Sequence, residues 1–128
     1  MVNRFHEINL KGYRNFLTES LNDGFETLAT GVRVSDNIPG IKKEVVTVIA
    51  TYKPTGEIRA HISAHKDFEP LTDPMNPLFR DYGDPEGKVG PSYESSKKHD
   101  YVTLKEFLDH IKELRIEMSE KQDIRNAL

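Results

Sequence analysis

Cysteine is absent, which excludes disulfide staples, thiolate zinc sites and a cysteine nucleophile. A reducing compartment suits such a chain, and it reads as a cytoplasmic protein. No apolar run approaches the roughly 20 residues that cross a bilayer, so no membrane role is expected. The start, Met1-Val2-Asn3-Arg4-Phe5-His6-Glu7, is charged with no apolar stretch behind it, unlike a secretory signal. A strong charge bias is missing too: 18 basic against 21 acidic residues leave a formal net charge of −3. Nucleic-acid binders usually carry a basic excess, because phosphate contacts supply most of their affinity, and a mimic of nucleic acid needs a large acidic one. Phosphate-cradling loops and the Gly-x-Ser-x-Gly nucleophile elbow do not occur.

What is present fits one α+β domain over residues 1–128, with 36 % hydrophobic and 30 % charged residues. Leu10, Tyr13, Phe16, Leu17 and Leu21 recur at helical spacing and predict a helix over 9–22, capped by Asn9 and stopped at Asp23-Gly24. Leu28, Thr30, Val32 and Val34 alternate as in a strand. The β-branched run Val45-Val46-Thr47-Val48-Ile49-Ala50-Thr51-Tyr52 predicts a well-buried second strand. Lys53-Pro54-Thr55-Gly56 then turns the chain into a third strand, where Ile58, Ala60, Ile62 and Ala64 alternate with Arg59, His61, Ser63 and His65.

Residues 67–100 hold five of the 7 prolines and show no period, which predicts a long irregular loop rich in proline, glycine and aspartate. Thr103-Leu104-Lys105-Glu106 is a capping box with Val102 and Phe107 at the staple positions, and it opens a last helix whose apolar series runs to Met118. The order reads α-β-β-β-loop-α. It predicts an antiparallel three-stranded sheet with both helices on one face.

Arg59, His61, Ser63 and His65 form one polar row on the third strand. Four residues of strand span about 13 Å, so His61 and His65 cannot share one metal ion, and neither metal nor other cofactor is expected. His61-Ile62-Ser63 matches half of a two-histidine phosphoesterase pattern, but no second His-x-Ser/Thr tripeptide occurs. A loop carboxylate (Asp67, Asp73, Asp81 or Asp84) folded over the row could orient a histidine for acid–base work. The acidic turn at 81–87 lacks the ligand order of a calcium loop.

These features set a main expectation against two alternatives. The main one is a non-catalytic protein–protein interaction module: an inhibitor, immunity-type protein or assembly subunit, for which phage or mobile-element accessory proteins are one setting. Its contacts would come from Phe79, Tyr82, Tyr93 and Tyr101, and from Ile116 and Ile124, which fall off the last helix's stripe and would also serve homo-oligomerisation there. The second is a small hydrolase acting on phosphoesters through His61 and His65, helped by Ser63 and Arg59. The third is a nucleic-acid-associated protein using Arg33, Lys42, Lys43, Lys53 and Arg59, against which the charge balance argues.

Overall fold

The β-branched run at the middle of the sequence is also the middle strand of the sheet. A computed structural model of the chain describes residues 13–70, 75 and 90–128. Helix α1 spans Arg14–Asn22, and strands β1 (Thr27–Ser35), β2 (Ile41–Tyr52) and β3 (Ile58–Phe68) form an antiparallel meander. Strand β4 (Ser92–Tyr101) pairs antiparallel with β3, and helix α2 (Leu104–Leu114), the short strand β5 (Gln122–Asp123) and a 3-10 turn (Ile124–Ala127) follow. The strand order is β4-β3-β2-β1-β5, so among the described residues two helices accompany a five-stranded antiparallel sheet rather than a three-stranded one. Both ends of the expected loop over 67–100 are strand instead, since Asp67 and Phe68 close β3 and Ser92–Tyr101 is β4. Residues 71–74 and 76–89 lie outside the described residues.

The helices do not share a face. Seven consecutive residues of β2, Val46 to Tyr52, are buried, and a strand buried in both parities needs cover on both sides. On one side Ala29, Val48, Ala50, Tyr52, Ile58 and Ala60 meet Phe107 and Ile111 of α2. On the other, Leu28 and Ile49 meet Phe16 and Leu17 of α1. The unbroken β-branched run therefore demanded a helix on each face. The β2–β3 turn forms as expected: Gly56 takes φ +101 and its N–H donates to Lys53 O at 3.0 Å.

The ends of α2 decide where the C-terminal residues go. Thr103 Oγ1 accepts from the Glu106 N–H at 3.2 Å, while the Glu106 carboxylate accepts from the N–H of Val102, one residue ahead of the usual reciprocal partner. Val102 stays exposed, so the expected staple does not pack. Phe107 instead sets its ring edge-on to Tyr52 and Tyr101.

At the other end Arg115 adopts φ +56, and the N–H groups of Arg115 and Ile116 bond Lys112 O and Ile111 O. This left-handed cap stops the helix short of Met118 and turns Ile116 onto the sheet. Ile116 and Ile124, expected at the surface, are both buried. Helical periodicity misassigned them because the helix has already ended. The expected Asn9 cap lies outside the described residues, and no helix among them is long and apolar enough to cross a membrane.

Candidate functional site

Alternation along β3 sends Ile58, Ala60, Ile62 and Ala64 toward the α2 side and leaves Arg59, His61, Ser63, His65 and Asp67 on the α1 side. The register with β4 sets Asp100, Lys98, Ser96, Glu94 and Ser92 opposite them in that order. The result is a polar band two strands wide. Helix α1 covers one end of it, and beyond the helix a groove of about 700 Å³ opens between Tyr13, Lys43, Thr47, Ser63, His65 and Glu94.

The two histidines of this row are held in different ways. His65 lies with Nε2 at 2.9 Å from Asp67 Oδ1 and Nδ1 at 3.1 Å from Glu94 Oε1. Both bonds are donations only when the ring carries two protons, as an imidazolium. Ser92 Oγ donates to the same Asp67 oxygen at 2.6 Å, and this bond, with His65, holds that carboxyl below the usual carboxylate range. A general base keeps one nitrogen for an orienting group and turns the other to the substrate, whereas both nitrogens of His65 are occupied by carboxylates.

His61 packs 4.1 Å from the Tyr13 ring and 5.5 Å from Phe16, and its Nδ1 is buried with no hydrogen-bond partner among the described residues. Desolvation, with Lys98 nearby, lowers its pKa, so the ring is kept neutral. Between the two, Ser63 Oγ accepts from Tyr13 Oη at 2.7 Å. Among the described residues no cluster of histidine and carboxylate groups could hold a metal ion.

The remaining expected residues are scattered. Arg59 ties three elements, donating to Asp23 beyond α1 at 2.7 Å and to Asp100 of β4 at 3.1 Å, and these bonds raise its pKa. Arg33 donates to Leu114 O at 2.8 Å and to Glu44 at 3.0 Å, and Lys53 pairs with Glu57 at 3.3 Å. Three of the cations proposed for nucleic acid are thus engaged with the protein itself. Tyr101 is half-buried against Phe107 and hydrogen-bonded to His110. Tyr93 stands edge-on to Phe68 beside a second groove, of about 650 Å³, on the α2 side. Phe79 and Tyr82 lie outside the described residues.

Sequence reasoning missed β4, a strand exposed along most of its length. Phe68 N–H donates to Pro91 O at 2.9 Å, which makes that facing pair a hydrogen-bonded one. Bonded and non-bonded pairs alternate along an antiparallel ladder, so Tyr93, Ser95, Lys97, His99 and Tyr101 bond β3. Ser92, Glu94, Ser96, Lys98 and Asp100 then turn their N–H and C=O groups outward. No strand among the described residues pairs with that edge. The available signal was the lack of any proline or glycine between Pro91 and Tyr101, which leaves room for ten residues of strand. Comparison with family models, curated proteins and solved structures finds no match to the chain.

Proposed function

We propose that the chain is a protein-binding module that takes up a strand of its partner along the outer edge of β4. The observation that carries this reading is the edge itself: ten residues long, exposed over most of its length, with alternate backbone groups turned outward. Such an edge is a template for strand addition, in which main-chain bonds give affinity and flanking side chains give specificity. On the α1 side Glu94, Ser96 and Lys98 flank it, and they would read the added strand. Support against the hydrolase reading comes from His65, whose two nitrogens are both occupied, and from His61, wedged between Tyr13 and Phe16 with no orienting carboxylate among the described residues.

Ser96→Pro tests the proposal. Proline removes an outward N–H and blocks the edge, while the N–H groups that bond β3 belong to neighbouring residues. Immobilised wild-type protein and His65→Ala should retain the same chains from an extract of the encoding organism, and Ser96→Pro should lose them. Retention that survives the proline, or that depends on His65, would sink the edge reading.

A further inference from the structure

We infer that β4 is the seam of a homodimer, in which the strand pairs antiparallel with its own copy about a twofold axis through Ser96. This rests on the strand-addition reading and names its partner as a second copy of this chain. Backbone parity limits the registers first. Outward-turned residues must face outward-turned residues, so Ser92, Glu94, Ser96, Lys98 and Asp100 can pair only among themselves.

Side chains then select one register. With the axis at Ser96, Glu94 faces the partner's Lys98, Lys98 faces the partner's Glu94, and Ser92 faces the partner's Asp100. Toward the α2 side, Tyr93 faces the partner's His99 and Ser95 faces the partner's Lys97. Other positions of the axis are worse. At Lys97 it sets Glu94 against the partner's Asp100, and Lys97 against its own copy. At Glu94 or Lys98 it sets like charge on like charge, which is destabilising for directly opposed residues. At Ser95 it leaves Glu94 opposite the partner's Ser96 with no ion pair.

The Ser96 register also uses the strand from Ser92 to Asp100, with each outward pair exchanging two hydrogen bonds, about ten in all. The seam is isologous, so assembly stops at two chains.

Lysines on an edge ordinarily repel stray strands. In this register Lys97 and Lys98 meet the partner's Ser95 and Glu94, so the same charges that turn away other strands admit this one. The charged pair is also available. Glu94 holds His65 through Oε1 and is 81 % exposed, and Lys98 reaches Glu19 only at 3.8 Å and is 59 % exposed. A carboxylate with about four acceptor sites can serve His65 and a lysine together.

Sedimentation equilibrium from roughly 1 µM to 1 mM tests the seam, with charge exchange as its signature. Wild type should dimerise, and Lys98→Glu or Glu94→Lys alone should weaken the dimer about tenfold, two facing pairs passing from attraction to repulsion. The double exchange Glu94→Lys with Lys98→Glu should restore wild-type affinity. Amide exchange should slow on dimerisation at Glu94, Ser96 and Lys98, and stay unchanged at Ser95 and Lys97.

Monomer throughout that range, or a double exchange no tighter than the single ones, overturns the homodimer. Monomeric protein whose capture of another chain is still lost on Ser96→Pro overturns the homodimer and leaves strand addition standing. Dimer and capture both untouched by Ser96→Pro overturn the two together.

Discussion

Truncating Ile124 to alanine removes three carbons from a side chain that is 0 % exposed and packed among Phe16, Leu17, Leu28 and Ile49. The transfer of those carbons back to water costs about 0.8 kcal/mol each, or about 2.4 kcal/mol together. If the neighbours do not relax, the void is on the order of 70 Å³, which at about 24 cal/mol per Å³ adds up to about 1.7 kcal/mol. The expected loss is therefore about 3 kcal/mol, a large part of the stability of a domain this size. Urea unfolding followed by circular dichroism reads it as a lower midpoint with an unchanged slope. Leu108→Ala, on the half-exposed flank of α2, is the internal comparison and should stay within about 0.5 kcal/mol of wild type. A loss below about 1 kcal/mol for Ile124→Ala would refute the assignment of the C-terminal turn to the core. It would return Ile124 to the surface, where helical periodicity alone had put it.

Gly31 lets the chain after α2 approach β1, because a Cβ there would sit 2.6 Å from Ile116 Cγ2 and 2.8 Å from Glu117 O. Gly31→Ala should cost roughly 1–3 kcal/mol, and an unchanged melting midpoint contradicts that close approach. Arg115→Gly should stabilise by roughly 0.5–1 kcal/mol, since glycine takes the left-handed conformation without the Cβ penalty; a lower urea midpoint counts against it.

Burial lowers the pKa of His61 in the fold below 6.5, so the unfolded chain binds the extra proton more readily. The stability contributed by neutral His61 is complete above pH 6.5 and is lost as pH falls through the lowered folded value. His61→Phe should then flatten the fall in urea midpoint between about pH 7.5 and 5.5. Asp67 and Asp123, also lowered, act in the same direction only near and below their ordinary value of 3.8, outside that window, whereas His99, lowered by burial from the same 6.5, keeps part of the slope in the variant. An unaltered slope in His61→Phe would show that His61 titrates as it does in the unfolded chain.

The meander was legible because each of its parts has a local cause. Alternation in β1 and β3, the Pro-Thr-Gly turn and the Thr103 cap are all decided within a few residues. The errors share a different origin, in that each depends on a contact distant in sequence. Residues 92–101 carry no β-branched or aliphatic side chain, so their strand state comes from the ladder offered by β3 rather than from their own preference. Ile116 looked misplaced only under the assumption that α2 continues, and the residue that ends it is an arginine in a conformation usually given to glycine. The polar row was read correctly as a row. Of its carboxylates, Asp67 is among the candidates the sequence offers for orienting a histidine, though as the end of β3 rather than as a loop residue, while Glu94 could not be paired with His65 without knowing β4.

The two edges of the sheet are treated in opposite ways, and that contrast bears most directly on function. The C-terminal segment covers the β1 edge from Thr27 to Gly31, while Val32 and Val34 beyond it stay exposed. Ser119 N–H donates to Thr30 O at 2.6 Å, Met118 bridges to Gly31, β5 pairs with Thr27 and Leu28, and Ile124 N–H donates to Glu26 O at 3.0 Å. Along that covered part, backbone groups that would otherwise template a stray strand are already paired. β4 has no such cover among the described residues, and it is polar, with acids and bases in an order that matches itself about Ser96. A charged edge discriminates, because a strand added out of register meets like charge. Among the described residues, an edge partly covered at β1 and a charged, unpaired one at β4 favour the proposal that β4 is the surface used for specific pairing.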